Sequence, residues 1–293
     1  MEHSGFGSGP AGRALSLFAA LLLISVVFCL LLTPTGAQGR PAASSAQATG
    51  ANLGAALASV QDSGRVVYGK SGLGGDLACV VIAPPAPVKT RVLMTFEIHG
   101  YEDLQPADGQ ALVEMGNALA AYFLQNRAKL RSSELIVVPS ANPDGLAHGS
   151  TSNGPGRCQV SSGIDINRDF PFDFITYDDA RNRTLAVPFS APESRALRDL
   201  FEAVRPDVVI DCHGWEDDLI GDEWLRNICS GSLGISRYNP FSVKNHGYYS
   251  YWAASRKLHS MLLEYPPAAY TERQAYAART CAALEAVCAR LAG

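Results

Sequence analysis

VLMTFEIHGYED, residues 92–103, is an apolar β-type run that ends on His99-Gly100 with acids directly behind it. Strands usually close on turn residues, so an imidazole at that point needs another cause. A second run, VVIDCHGWED at 208–217, repeats the pattern and puts His213-Gly214 in the equivalent place. Outward from these two runs, strand-like and helix-like segments alternate. VVYG (66–69), LACVVIAP (77–84) and VLMTFEI (92–98) precede a helical stretch over 109–130, and ELIVVPS (134–140) follows it. A loop of roughly 50 residues comes next, long enough that function is its usual explanation. Then come a helix over 192–204, DVVIDC (207–212), a helix over 251–258, SMLLEY (260–265) and a last helix over 272–291. This alternation predicts an α/β fold with a mixed, mostly parallel twisted sheet and helices on both faces. In such sheets chemistry lies just beyond the carboxyl ends of the strands, which is where both His-Gly pairs stand.

Composition bounds what that fold can serve. The chain has 293 residues, 47% of them hydrophobic, with 24 basic and 28 acidic side chains, which fits one globular domain. A net charge of −4 offers no basic field for nucleic acid, and that class is set aside. Ala14–Leu32 carries no charge and is long enough to span a bilayer, while the small residues Thr35-Gly36-Ala37 suit a cleavage site. Residues 1–37 are therefore read as a signal peptide or signal-anchor, and 38–54, rich in Ala, Gly, Ser and Gln, as a flexible stalk. Residues 55–293 form the catalytic domain. The expected location is the secretory pathway, with the domain secreted or luminal/extracellular and membrane attachment available through 14–32. Six cysteines follow the apolar run, and the sequence does not choose among their pairings or between pairing and simple burial. Cys281 and Cys288, seven apart on the last helix, stand about 10 Å apart and out of disulfide reach of each other.

The residues at the strand ends point to a metal. His99 and Glu102 lie three apart across a turn, so an imidazole nitrogen and a carboxylate oxygen can converge on one cation. Hydrolytic zinc sites use three such N and O ligands and leave a fourth position for water, and His213 would supply the third. His-x-x-Glu alone is common in surface turns, but a second strand-terminal His-Gly among so few histidines argues against coincidence. His148, His246 and His259 are left as surface or loop residues. Glu264, in SMLLEYPP, is a carboxylate at the end of an apolar strand and needs either an ion-pair partner or a function; the sharper reading is a general base. Within the long loop, Asn167-Arg168 offers an amide and a guanidinium able to grip a carboxylate in two-pronged fashion. Arg157 is a second cation, placed to face a developing oxyanion.

In order along the chain, HGYE (99–102), ANPDG (141–145), GIDINRDFP (163–171), PES (192–194), IDCHG (210–214) and LLEYP (262–266) resemble the motifs of zinc metallocarboxypeptidases of the carboxypeptidase A type. The resemblance implies a carboxypeptidase-like, phosphorylase/hydrolase-like fold and one Zn2+ per chain on His99, Glu102 and His213. It implies Glu264 as general base, Asn167 and Arg168 as binders of the substrate's free C-terminal carboxylate, and Arg157 as the oxyanion cation. The expected partner is a peptide with that free terminus, acted on by a monomer. Two departures stand out. The family's larger digestive members carry a mobile Tyr where this chain has Ser242 and Val243 in SVKNHGYYSYW (242–252), so that Tyr248 or Tyr249 takes the role or the role is absent. The short catalytic part is similar to the murein peptide amidase branch, which cuts γ-D-glutamyl-diaminopimelate bonds; a zinc deacylase of N-acyl amino acids is a further alternative. Tyr248, Tyr249 and Ser250 are expected to line the side-chain pocket, with Ser250 at its base favouring neither a basic nor an acidic side chain.

Overall fold

The structure, a computed structural model, describes residues 50–149 and 151–293. The expected signal segment 1–37, with its apolar run 14–32, and the stalk up to 49 lie outside these residues. Among the described residues no helix is long and apolar enough to cross a membrane.

Eight strands form one mixed sheet. In chain order they are β1 (Ser63–Lys70), β2 (Asp76–Ile82), β3 (Thr90–Phe96), β4 (Ser133–Val138), β5 (Val208–Gly214), β6 (Asp218–Gly221), β7 (Arg237–Asn239) and β8 (His259–Tyr265). Across the sheet the order is β1-β2-β4-β3-β5-β8-β6-β7. The central strands β4, β3, β5 and β8 run parallel, while β1, β2 and β6 join antiparallel neighbours. After β3 the chain moves to β4 on one side, and after β4 it returns to β5 on the other. That reversal opens a crevice at the carboxyl ends of β3 and β5, which is where His99 and His213 are delivered.

Alternation along the strands feeds two cores. Met94, Phe96, Ile210, Cys212 and Leu263 face one side, against α2 (Gly109–Gln125), α5 (Glu223–Leu233) and α8 (Arg273–Ala292). Leu93, Ile136, Val138 and Val209 face the other, against α1 (Gly50–Ala58), α4 (Pro192–Val204) and α6 (Tyr249–Ser255). Helices thus cover both faces, as the alternating pattern predicts. β5 is buried along its whole length, which suits its unbroken apolar run.

Three features depart from expectation, and the cysteines settle a choice the sequence left open. Helix α1 begins at Gly50 and buries Leu53 completely, inside the span read as stalk; an apolar side chain every few residues is enough to dock this helix beside α4. The stretch 218–239 holds β6, α5 and β7, none of which the sequence reading assigned. The helix expected over 251–258 forms at Tyr249–Ser255, and short helices, α3 (Pro143–His148) and α7 (Ala268–Thr271), add to the framework. The six cysteines of the described residues are all buried and free, Cys281 and Cys288 included.

Candidate metal centre and active-site cavity

The strand β3 stops at Phe96, and Glu97 turns the chain with φ of 54°. The Glu97 carbonyl accepts from Ala141 N (3.2 Å) and Asn142 N (3.0 Å), which ties the HGYE turn to the ANPDG segment. Gly100 is where these pieces touch. A Cβ there would sit 2.4 Å from the Gly145 and Leu146 backbone and 2.5 Å from the Gly156 carbonyl, so only glycine fits after His99. Asn142 caps α3 by accepting from Gly145 N (3.0 Å) and donates to the Arg157 carbonyl (3.2 Å). Asp108, which no sequence signal singled out, gathers the turn behind Glu102. It accepts from Glu102 N (2.5 Å), Leu104 N (2.8 Å) and the Trp215 indole (2.8 Å).

His99, Glu102 and His213 meet in this frame. His99 Nδ1 lies 3.0 Å from Glu102 Oε2, His213 Nδ1 lies 2.9 Å from Glu102 Oε1, and all three are buried. The outer nitrogens are held as well: His99 Nε2 is 2.9 Å from Asp165 Oδ1, and His213 Nε2 is 3.0 Å from Asp211 Oδ2. Asp211 also accepts from Thr95 Oγ1 (2.5 Å). Imidazoles backed by carboxylates at the far nitrogen are the usual outer support of metal-binding histidines, because the carboxylate fixes ring orientation and raises basicity. The three ligand atoms lie within 4.8 Å of one another. Two nitrogens and one oxygen so gathered fit a zinc ion with bonds of about 2.0–2.2 Å. Burial alone would raise the Glu102 pKa, yet the two imidazoles hold it well below the usual carboxylate range. Asp165 is lowered too, against its burial, by His99, Arg168 and Arg157. His213 is raised despite burial by Asp211 and Glu102. The carboxylates thus stay charged beside the imidazoles, a donor set suited to a cation.

A cavity of about 270 Å³ opens over these ligands, and Arg157, Asn167, Arg168, Tyr248 and Glu264 line it. Arg157 is buried, its Nη1 is 3.5 Å from Glu102 Oε2, and its Nη2 is 3.9 Å from Asp165 Oδ2. Asn167 accepts from Tyr249 N (2.9 Å), and Arg168 donates to the Asn167 carbonyl (3.0 Å) while its guanidinium lies 4.4 Å from the Tyr248 ring centroid. Gly247 makes this possible: its φ is +65°, and a Cβ would come within 2.1 Å of the Arg168 carbonyl oxygen. Asp169 locks the other side of the loop by accepting from Ala191 N (2.7 Å) and Ser194 Oγ (2.6 Å) at the start of α4. Glu264 stands directly opposite His213 in the β5–β8 register. Its Oε2 has no hydrogen-bond partner, and burial pushes its pKa up to about 8, against the pull of His213.

The structure does not bring Tyr249 and Ser250 to this cavity. Helix α6 starts at Tyr249, so Tyr248 is left at the cavity while the next two residues turn inward. Both are fully buried, with Tyr249 packed 5.0 Å from the Phe170 ring. The cavity is lined instead from β6 and β7, through Asp218, Ile220 and Arg237. Asp165 and Asp211 are the further functional residues that the motifs contained unread. Asp165 was within reach, since an Asp two residues before Asn167 has the spacing of an Asx turn, and its Oδ1 accepts from Asn167 N (2.8 Å). A larger cleft of about 610 Å³ lies at the opposite end of the sheet, where Arg91 and Glu134 pair with each other; it gathers no comparable set of metal donors.

Residues 59–221 match the zinc carboxypeptidase family. The bacteriocin BCN5 of Clostridium perfringens is 35% identical over 213 residues, a match covering 71% of this chain and 23% of that protein. The chain therefore spans under a quarter of that relative's length. Murein peptide amidase A of Escherichia coli (strain K12) is 27% identical over 221 residues, covering 68% of this chain and 80% of the amidase. The crystal structure of murein-tripeptide amidase MpaA from Escherichia coli O157 superposes with a TM-score of 0.55 at 23% identity, over 79% of this chain and 94% of that one. With the family match spanning more than half the chain and the two histidines and glutamate gathered at the crevice, the chain belongs to the zinc carboxypeptidase family.

Proposed function

We propose that the protein is a zinc-dependent peptidase that hydrolyses the last peptide bond of a substrate with a free terminal carboxylate. The observation that carries this reading is one cavity lined by the three metal ligands, by Glu264 with a free carboxylate oxygen, and by three polar groups of the long loop, Arg157, Asn167 and Arg168. Zinc on His99, Glu102 and His213 would supply Lewis acidity for the attacking water and the scissile carbonyl. Glu264 takes a proton at Oε2 and hands it to the leaving amine, a task suited to a carboxyl whose pKa burial has raised. Arg157 faces the carbonyl oxygen as negative charge develops. Asn167 and Arg168, braced by Tyr248, hold the terminal carboxylate and so set which bond is presented. The apolar run 14–32 supports export of this activity to a luminal or extracellular face.

A second reading, murein peptide amidase, is supported by the 27% identity to murein peptide amidase A over 80% of that protein. The two readings share the machinery and differ in the bond cut. The discriminating experiment incubates the zinc-loaded full-length protein with free-acid peptides, their amidated forms and a γ-D-glutamyl-diaminopimelate peptide, followed by mass spectrometry. Loss of one terminal residue from free acids only, absent in Glu264→Gln, is the expected result. Cleavage of the γ-glutamyl substrate alone assigns the amidase reaction, and no cleavage by a zinc-loaded protein rejects both.

A further inference from the structure

Arg157 is a buried cation that no acid has claimed. It is 5% exposed, yet among the described residues no carboxylate comes closer to it than 3.5 Å. Its Nη1 lies 3.5 Å from Glu102 Oε2 and 3.7 Å from Asp103 Oδ2, its Nη2 lies 3.9 Å from Asp165 Oδ2, and its Nε has no partner. A guanidinium so placed keeps its donors for an oxyanion, provided that no neighbouring carboxylate takes them first. Glu102 is committed to His99 and His213, and Asp165 to His99 and Asn167 N. That leaves Asp103, the residue after Glu102, as the carboxylate able to turn toward Arg157, and it lines the same cavity.

Arg181 occupies that carboxylate. Its Nη1 donates to Asp103 Oδ1 (2.8 Å) and its Nη2 to Asp103 Oδ2, a two-pronged pair that takes both oxygens. The fork is anchored in turn. Arg181 Nη1 also donates to the Ser152 carbonyl (3.1 Å), Asp179 Oδ1 accepts from Arg181 N (3.1 Å), and the Cys158 thiol donates to the Arg181 carbonyl (3.3 Å). Cys158 follows Arg157, so the loop that carries Arg181 is tied to the backbone that carries Arg157. Asp103 itself stands at φ of 76°, a left-handed conformation that such a residue keeps only where its contacts fix it. Arg157 is the only other cation paired with Asp103 among the described residues, so loss of Arg181 leaves the two a small side-chain shift from a direct bond. Resting on the peptidase reading above, we propose that Arg181 is a positioning residue: by holding Asp103 it keeps that carboxylate from capturing Arg157, and so leaves Arg157 turned to the oxyanion.

The test compares the native protein, Arg181→Gln, and Arg181→Gln combined with Asp103→Asn, all full-length and zinc-loaded, after matching zinc content and circular dichroism. On free-acid peptides, kcat should fall about tenfold in Arg181→Gln with KM changed less than about twofold, and adding Asp103→Asn should return most of the loss. A phosphonate dipeptide, whose tetrahedral anion mimics the oxyanion, should bind the single variant about tenfold more weakly by calorimetry and the double variant nearly as tightly as the native protein. A crystal structure of metal-free Arg181→Gln should show Asp103 hydrogen-bonded to Arg157. If Arg181 merely supports the loop, the double variant falls at least as low as the single one; that result, or an unchanged kcat in Arg181→Gln, overturns the proposal and leaves the peptidase standing. Should Arg181→Gln fold poorly, Arg181→Lys, which keeps the charge but loses the fork, goes through the same comparison with the same rescue expected. A native protein that cleaves no peptide sinks the peptidase reading, and even then an Arg181→Gln structure without the Arg157–Asp103 bond overturns the proposal on its own.

Discussion

Glu264 shows how far a single side chain can be tuned by its place on a strand. Its ordinary pKa of 4.5 is raised to about 8 by burial, so in the metal-free fold it is protonated at neutral pH. A raised folded-state value stabilises the fold fully below about pH 4.5 and loses that contribution as pH climbs through about 8. Glu264→Gln, which keeps the neutral shape, should therefore stabilise the metal-free protein above pH 8 by on the order of 2 kcal/mol, after allowing for its partial exposure. Thermal melts with a chelator at pH 4.5 and 8.5 check this, and an equal gain at both pH values would remove the charge explanation. The same isolation that raises the pKa made this residue stand out in the sequence: a carboxylate behind Met-Leu-Leu needs an ion-pair partner or a function, and the family resemblance points to function. His99 and His213 were legible for a like reason, each ending an apolar strand. Asp165 and Asp108 were not, because an aspartate in a loop is expected everywhere and only the folded contacts reveal what it holds.

Elements place these side chains, and small shifts in their ends matter. The helix over 251–258 was expected two residues late, and that difference decides that Tyr248 faces the cavity while Tyr249 and Ser250 are buried. β6 and β7 were missed because strands of four and three residues are too short to show alternation. The intervening α5 did carry end signals, with Asp222 accepting from Leu225 N (3.1 Å) and Gly234 in the left-handed conformation. Gly247 is the tightest junction between elements on the substrate side. Gly247→Ala places a methyl against the Arg168 carbonyl and strains a positive φ, so it should displace Arg168 and raise KM for free-acid peptides about tenfold or more. The accompanying loss of stability should be about 2–3 kcal/mol. Steady-state kinetics beside a denaturant melt would tell the two effects apart, and an unchanged KM would show that Arg168 does not anchor the substrate.

At the scale of the whole molecule, the metal centre joins the HGYE turn after β3 to the end of β5, so an ion held there clamps the middle of the sheet. Zinc that binds only the folded chain stabilises it by about 4 kcal/mol at a thousandfold excess over Kd, which for a domain of this size is on the order of 10 °C in Tm. Calorimetric melts with zinc and with chelator should show that rise in the native sequence and lose it in His213→Ala. An equal rise in both would exclude the centre. The sheet and its helical cover were readable from alternation, whereas the strand order was not, since periodicity does not say which strands are neighbours. That order has a kinetic consequence. Glu102 and His213 are 111 residues apart in the chain, and β8, which brings Glu264, docks beside β5 from near the C-terminus. Parallel pairings over such separations form slowly, so a chain leaving the ribosome has no metal-binding centre until most of it has been made. Loading the ion is then a finishing step on an already folded scaffold, unlike the small zinc modules whose folding the ion itself drives.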